Sequence, residues 1–317
     1  MNPAVKKQKN NVSGWVVLDK PAGWSSTQAV GKVRWCFNAE KAGHGGTLDP
    51  FATGVLPIAL GEATKLMPYV LEGDKSYRFT IRWGEARDSD DLTGKIIQNS
   101  DKRPRVEEII SAVSKFVGEI SQIPPQFSAL HVDGERAYDL ARQGKEVLLQ
   151  PRQVRIDHFN YIHSPSVDEA EFEVDCGKGT YIRALARDLG KVLGCFGHVS
   201  ALKRVKSGPF TMENAISTEK LVEKAEEFRQ KGACLKEFQA FVMPLAAALD
   251  DIPAVIVSEH EARKLRQGQG IPLHPLRIIE PMRTAKMVVA KDALGLVALT
   301  QLKWEGLQPV RVFNVQI

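Results

Sequence analysis

The sequence predicts a mixed α/β chain, α+β in arrangement, that ends in a small β-rich module. Three observations predict it. Ala170, Phe172, Val174 and Cys176 alternate with Glu171, Glu173 and Asp175, the period-two pattern of a strand with one face on a core and one in water. Two segments, Val106 to Val117 and Ile182 to Leu193, carry apolar residues at helical spacing. From about residue 252 the chain breaks into short apolar runs: Met287 to Val289, Leu296 to Leu299 and Val310 to Val315.

In chain order, residues 1–12 read as a flexible basic tail with Lys6, Lys7 and Lys9. Trp15 to Leu18 reads as a short strand entering a turn at Pro21-Ala22-Gly23. Ser25 or Ser26 caps a helix whose apolar positions include Val30, Val33 and Phe37. Residues 41–57, glycine-rich and containing Pro50 and Pro57, read as a long ordered loop. Tyr77 to Trp83 alternates like a strand, and residues 84–94 (GEARDSDDLTG) form a polar turn. A helix follows Pro104, with Val106, Ile109, Ile110, Val113, Phe116 and Val117 on one face. Residues 122–153 read as a long connection with a helical patch near Tyr138 to Arg142. After the strand at 170–176, a Gly177-Lys178-Gly179 turn leads to a helix with Ile182, Leu185, Ala186, Leu189 and Leu193 on one face. Residues 218–231 read as a charged helix. A composition shift at Asp250-Asp251-Ile252-Pro253 marks a domain boundary. Ser258 and Glu261 make a capping box for a helix through Leu265, ended by Gly268 and Gly270.

Composition bounds the function. A chain of 317 residues fits two domains, or one large domain with an appendage. With 43% hydrophobic and 26% charged residues it is not a disordered, collagen-like or coiled-coil chain. No apolar run approaches the ~18–20 residues that span a bilayer. The longest, Phe241 to Leu249, contains Pro244. The basic N-terminus has no apolar stretch behind it, so a secretory signal is not expected. Four cysteines without a close pair argue against a disulfide framework or a zinc site, and for a reducing cytosol or an equivalent matrix. A net charge of +5 permits a polyanionic partner without demanding one.

The loop Gly43-His44-Gly45-Gly46-Thr47-Leu48-Asp49-Pro50 lacks both phosphate-cradle spacings. Two readings stay open: a structural loop with Asp49 as turn-maker, or a loop presenting one carboxylate to a ligand. Pro50 biases Asp49 away from helical backbone, and the glycines let a bulky ligand approach. Arg183 opens a helix beside a strand end, where an ordinary surface arginine is the plainer reading. The seven histidines show no metal-binding spacing, and His44 alone reads as a loop hydrogen-bonder. Asp88-Ser89-Asp90-Asp91 imitates a calcium loop, but Thr93 and Asn99 stand where Gly and Glu are required. No G-x-S-x-G elbow is present. Lys203-Arg204-Val205-Lys206 reads as a solvated basic run unless it lies beside Asp49.

GHGGTLDPFATGVLPIALGEATKL (43–66) resembles the signature of the tRNA pseudouridine-55 synthases of the TruB type. So do Leu18-Asp19-Lys20-Pro21, Lys75-Ser76-Tyr77-Arg78-Phe79, Gly179-Thr180-Tyr181-Ile182-Arg183 with Asp188-Leu189-Gly190, and Leu202-Lys203-Arg204 with Ser207-Gly208-Pro209-Phe210. Together they cover about residues 14–212, and the segment after 252 more loosely resembles a PUA-like RNA-binding module. The resemblance implies a pseudouridine-synthase fold with a largely antiparallel mixed sheet flanked by helices. It implies a catalytic domain over 13–250 with an RNA-clasping insertion at about 124–153, and a PUA-like domain over 251–317. Arg87 stands where a threonine is commoner in the family.

The resemblance also assigns roles. Asp49 matches the catalytic aspartate, Tyr77 the tyrosine that stacks on the target base, and Arg183 the arginine that pairs with the aspartate. Leu202 matches an apolar pocket wall, and His44 the histidine that fills the space left by the flipped base. Lys20, Lys65, Asp91 and Tyr181 are softer carry-overs. Lys20, Lys203, Arg204, Arg136 and Arg152 are candidate phosphate contacts. The implied reaction isomerises uridine to pseudouridine and calls for no cofactor and no metal. The expected partner is the T-arm of tRNA, with no membrane, no protein partner and a monomeric state. The alternative is a non-catalytic RNA-binding or tRNA-folding protein on the same scaffold. A carboxylate glycosidase would need a second carboxylate near Asp49, and none stands out.

Overall fold

The computed structural model describes residues 9–128, 130–132, 135–136, 148–231 and 238–314. Their strands are β1 (Gly14–Lys20), β2 (Ala42–His44), β3 (Thr53–Leu60), β4 (Lys75–Trp83), β5 (Glu85–Arg87), β6 (Ile96–Asn99), β7 (Gly118–Gln122), β8 (His131–Val132), β9 (Glu135–Arg136), β10 (Arg152–Ser166), β11 (Glu169–Cys176), β12 (Gly197–Ser207), β13 (Phe210–Thr211), β14 (Ile216–Ser217), β15 (Ala254–Ile256), β16 (Val288–Asp292), β17 (Gly295–Lys303) and β18 (Gly306–Val312). The α-helices are α1 (Ser26–Phe37), α2 (Met67–Glu72), α3 (Val106–Val113), α4 (Ile182–Leu193), α5 (Thr218–Lys231), α6 (Glu259–Arg266) and α7 (Glu280–Thr284). None of the described helices is long and apolar enough to cross a membrane.

One large mixed sheet runs β14-β1-β3-β12-β4-β11-β10-β7, with β2 beside β3 and β13 beside β12. Its pairings are antiparallel except β1 with β14 and β3 with β12. Helices α1, α3 and α4 bury Val33, Phe37, Ile109, Leu185 and Leu189 against Leu18, Ile58, Phe79 and Phe172. The other face of β1 and β3 carries Trp15, Val17, Val55 and Ala59 into a second core. A strand buried on both faces needs no polar alternation, which is why β1 reads as an unbroken apolar run.

The C-terminal sheet, β15-β16-β17-β18, supplies Val289, Leu296 and Leu299 to that second core, joined by Phe313 just after β18. Its opposite side packs on α6 through Val255, Ala262, Leu265 and Val297. The capping box of α6 forms as its sequence predicts, with Ser258 and Glu261 reciprocally bonded.

Several expectations are revised. Residues 41–57 are not one loop: they contain β2 and the start of β3. Residues 84–94 begin a hairpin in which β5 pairs with β6. The helix after Pro104 ends at Val113 and tightens into a 3-10 turn at Ser114–Phe116. The helical patch expected near Tyr138 to Arg142 lies outside the described residues. β10 and β12 escape a period-two reading because each carries register shifts, after Ile156, Tyr161 and His163 in β10 and after Val199 and Arg204 in β12. A bulge moves later side chains to the other face and erases the alternation.

Candidate active site

The glycine loop is built to bring backbone close to backbone. Gly54, the second residue of β3, has φ +97, and a Cβ there would lie 2.2 Å from the Arg204 carbonyl oxygen. Only glycine allows the parallel β3–β12 contact that joins Gly54 to Arg204. Ser26, the first residue of α1, then grips the loop: its hydroxyl donates to Leu48 O at 3.0 Å and accepts from Leu48 N at 2.9 Å. Ser25 beside it is the N-cap. The two serines thus divide the work, one capping the helix and one fixing the residue before Asp49.

Asp49 faces the guanidinium of Arg183, presented by the first turn of α4. Arg183 Nη2 donates to Asp49 Oδ1 at 3.2 Å, and Nε lies 2.9 Å from Oδ2. The arginine side chain is 5% exposed and the aspartate 32%. Arg183 is itself clamped: Nη1 donates to Ser89 O at 2.9 Å and lies 3.4 Å from Asp91 Oδ2, while Nη2 donates to Phe127 O at 2.8 Å. Asp91 in turn accepts from Ser89 Oγ, Thr93 N and Thr93 Oγ1. Burial raises the Asp49 pKa above the ordinary carboxylate value, the adjacent Arg183 charge opposes the rise, and Asp91 adds to it.

A cleft of about 340 Å³ opens over this pair, the size of a small-molecule pocket. Asp49, Tyr77, Tyr181, Arg183, Leu202 and Arg204 all line it. Sheet register explains the convergence. Tyr77 on β4 pairs with Arg204 on β12, and Arg204 pairs with Gly54 at the start of β3. Burial raises the pKa of the Tyr77 and Tyr181 phenols, so both carry their proton at neutral pH.

The remaining candidates divide by place. His44 sits half-buried on β2; its Nδ1 is buried without a hydrogen bond, and burial and then Arg204 lower its pKa. Lys20 is buried and spends its ammonium on the carbonyls of Pro21, Trp24 and Pro50. Burial brings its pKa down to about 8, against the attraction of Asp49. Arg204 is equally buried and donates to Val55 O, Thr47 O and Gly46 O, bracing the glycine loop from below. Lys65 lies away from the cleft lining, bonded to Glu62 and to Val312 O. Asp91 is buried behind Arg183 rather than lining the cleft. Lys203 and Arg152 are exposed, and the Arg136 side chain lies outside the described residues.

Sequence reasoning passed over Lys75, Ser128 and Thr180, which also line the cleft. Lys75 had a signal: it lies two residues before Tyr77 and so on the same face of the strand. Burial lowers its pKa to about 8. Ser128 had none.

Comparison with known proteins supplies what geometry does not. A model described as "TruB family pseudouridylate synthase (N terminal domain)" matches residues 34–182. One described as "tRNA pseudouridylate synthase B C-terminal domain" matches residues 183–250. The chain is 46% identical to a tRNA pseudouridine synthase B of Brucella ovis over 324 aligned positions, covering 98% of each chain. It is 46% identical to one of Caulobacter sp. (strain K31), covering 98% of this chain and 99% of the other. Among solved structures it resembles a chain of a Cbf5-Nop10-Gar1 complex, with TM-score 0.73 and 27% identity, covering 95% of this chain and 84% of that one.

Proposed function

This chain belongs to the TruB family of tRNA pseudouridine synthases, and we propose that Asp49 is the carboxylate with which it isomerises uridine at position 55, in the T-loop of tRNA. The reaction breaks the C1′–N1 bond, turns the uracil and joins C5 to C1′. The C5 proton leaves and N1 gains one, so the product is an isomer of the substrate. The single observation that carries this reading is Asp49 anchored by Arg183 on the lining of a nucleoside-sized cleft.

The target base lies inside a folded RNA loop and must be everted to reach the cleft. Asp49 acts ionised, and Arg183 both favours that form and fixes the direction of its oxygens. Tyr77 stacks on the uracil, worth ~1–3 kcal/mol by analogy with base–aromatic contacts. Its protonated phenol can also pass a proton. Leu202 supplies an apolar wall, and His44 fills the space the base leaves in the RNA. Lys203 and Arg152 are exposed and suit phosphate contacts. Residues 13–250 form the catalytic domain and 251–317 a PUA-like RNA-binding unit.

Release of tritium from C5-labelled uridine in a T-arm hairpin tests the reading. Wild-type protein releases it; Asp49→Asn binds the hairpin and releases none. Residual release by Asp49→Asn with an unchanged pH profile removes Asp49 from the chemistry. Tyr77→Phe keeps hairpin affinity and loses turnover if the phenol moves a proton. No release by wild-type protein would favour a non-catalytic RNA-binding function.

A further inference from the structure

Ser128 is 3% exposed and lines the same cleft as Asp49, Tyr77 and Leu202. Its Oγ is buried and meets no partner at full hydrogen-bond geometry, and the Tyr181 phenol is a hydrogen-bonding neighbour; a serine that accepts from that phenol still has its own proton to donate. Buried hydroxyls normally have a partner, because leaving water without one is unfavourable. A hydroxyl with unused capacity on the lining of a ligand cleft is therefore matched by a group that arrives with the ligand. Its place is firmly held. The carbonyl of Phe127, one residue earlier, accepts from Arg183 Nη2, and Gln122 ties the end of β7 to the backbone of Tyr181.

The chemistry of the ligand narrows the match. Uracil presents carbonyls O2 and O4 on either side of N3–H. Turning the ring by half a revolution about its N3–C6 axis exchanges N1 with C5, as the isomerisation requires. The same turn exchanges O2 with O4. A donor aimed at one carbonyl before the turn meets the other after it. A single fixed hydroxyl can thus hold the ring in both its starting and its rotated position.

We propose that Ser128 is a specificity-determining residue that donates a hydrogen bond to a carbonyl of the everted uracil. This rests on the reading that the cleft receives that base. Equilibrium binding tests it in the Asp49→Asn background, with two hairpins that differ only in carrying uridine or an abasic ribose at the target position. Ser128→Ala weakens binding of the uridine hairpin about fivefold, the worth of one neutral hydrogen bond, and leaves the abasic hairpin unchanged. Ser128→Cys, which keeps the volume and loses the strong donor, gives the same uracil-dependent loss. Equal losses on both hairpins, or none on either, overturn the proposal. These outcomes are read from affinity alone, so they are separate from the turnover test of Asp49.

Discussion

At the scale of single residues, Asp49 is a group whose environment works against its charged form. Its pKa is raised, with burial as the largest cause and Arg183 as the largest opposing one. The folded protein therefore holds the proton more tightly than the unfolded chain, whose aspartates titrate near ~3.9. The stability this provides is present below that value and is lost as pH rises through the raised one. Asp49→Asn keeps the shape without the charge, and Arg183 retains Asp91 as a partner. We expect the variant to melt roughly 1–4 °C higher than wild type at pH 7, with the difference shrinking as pH falls through the raised Asp49 value towards ~4 and small below it. Thermal melts at the two pH values check this; a variant that melts lower at pH 7 shows that the Arg183 attraction outweighs burial. The candidate identities of Asp49, Tyr77 and Arg183 were legible in the sequence, each within a recognisable string. The engagements of Lys20 and Arg204 were not. A lysine or arginine in a basic motif reads as a phosphate contact, and only burial shows that its donors are taken by backbone carbonyls.

At the scale of elements, α4 acts as a two-pronged clamp. Arg183 reaches Ser89 O and Phe127 O; one turn later Arg187 donates to Asp90 Oδ2 at 3.0 Å and to Ile123 O at 2.8 Å. Both prongs hold the same two loops, 88–94 and 122–128. Asp90 lies in left-handed backbone at φ +59 and has its pKa pushed up to about 6 by burial. The amphipathic pattern of α4 was readable because Leu185 and Leu189 face the core. The clamp was not, because its carbonyl partners have no sequence signature. The other element-scale device is Ser26 at the head of α1. Ser26→Ala strands the Leu48 N–H and C=O in a buried site and should cost about 1–3 kcal/mol. Denaturant unfolding measures that loss. Turnover should fall more than hairpin affinity, because the loop that aims Asp49 loosens while the RNA-facing surface stays. An unchanged turnover number would show that the loop holds without this grip.

At the scale of the molecule, the C-terminal sheet is part of the catalytic sheet's packing. Phe313 and Leu299 share a core with Trp15 and Val17, Lys65 donates to Val312 O, and Glu62 accepts from Asn314 N. Full-length protein should therefore melt in one transition, and a chain ending at Asp251 should lose cooperativity or aggregate, since it exposes that buried face. Calorimetry decides; an independent melt of residues 252–317 would show two separable units. The sequence alone determined the fold class, most helices, the glycine-loop aspartate and the family, because these depend on local periodicity and on short contiguous strings. Only the tertiary structure decided which cations face the cleft, that Ser128 lines it, and that residues beyond 252 complete a core begun by β1. Those facts depend on register, bulges and burial between residues far apart in the chain, and no local pattern records them.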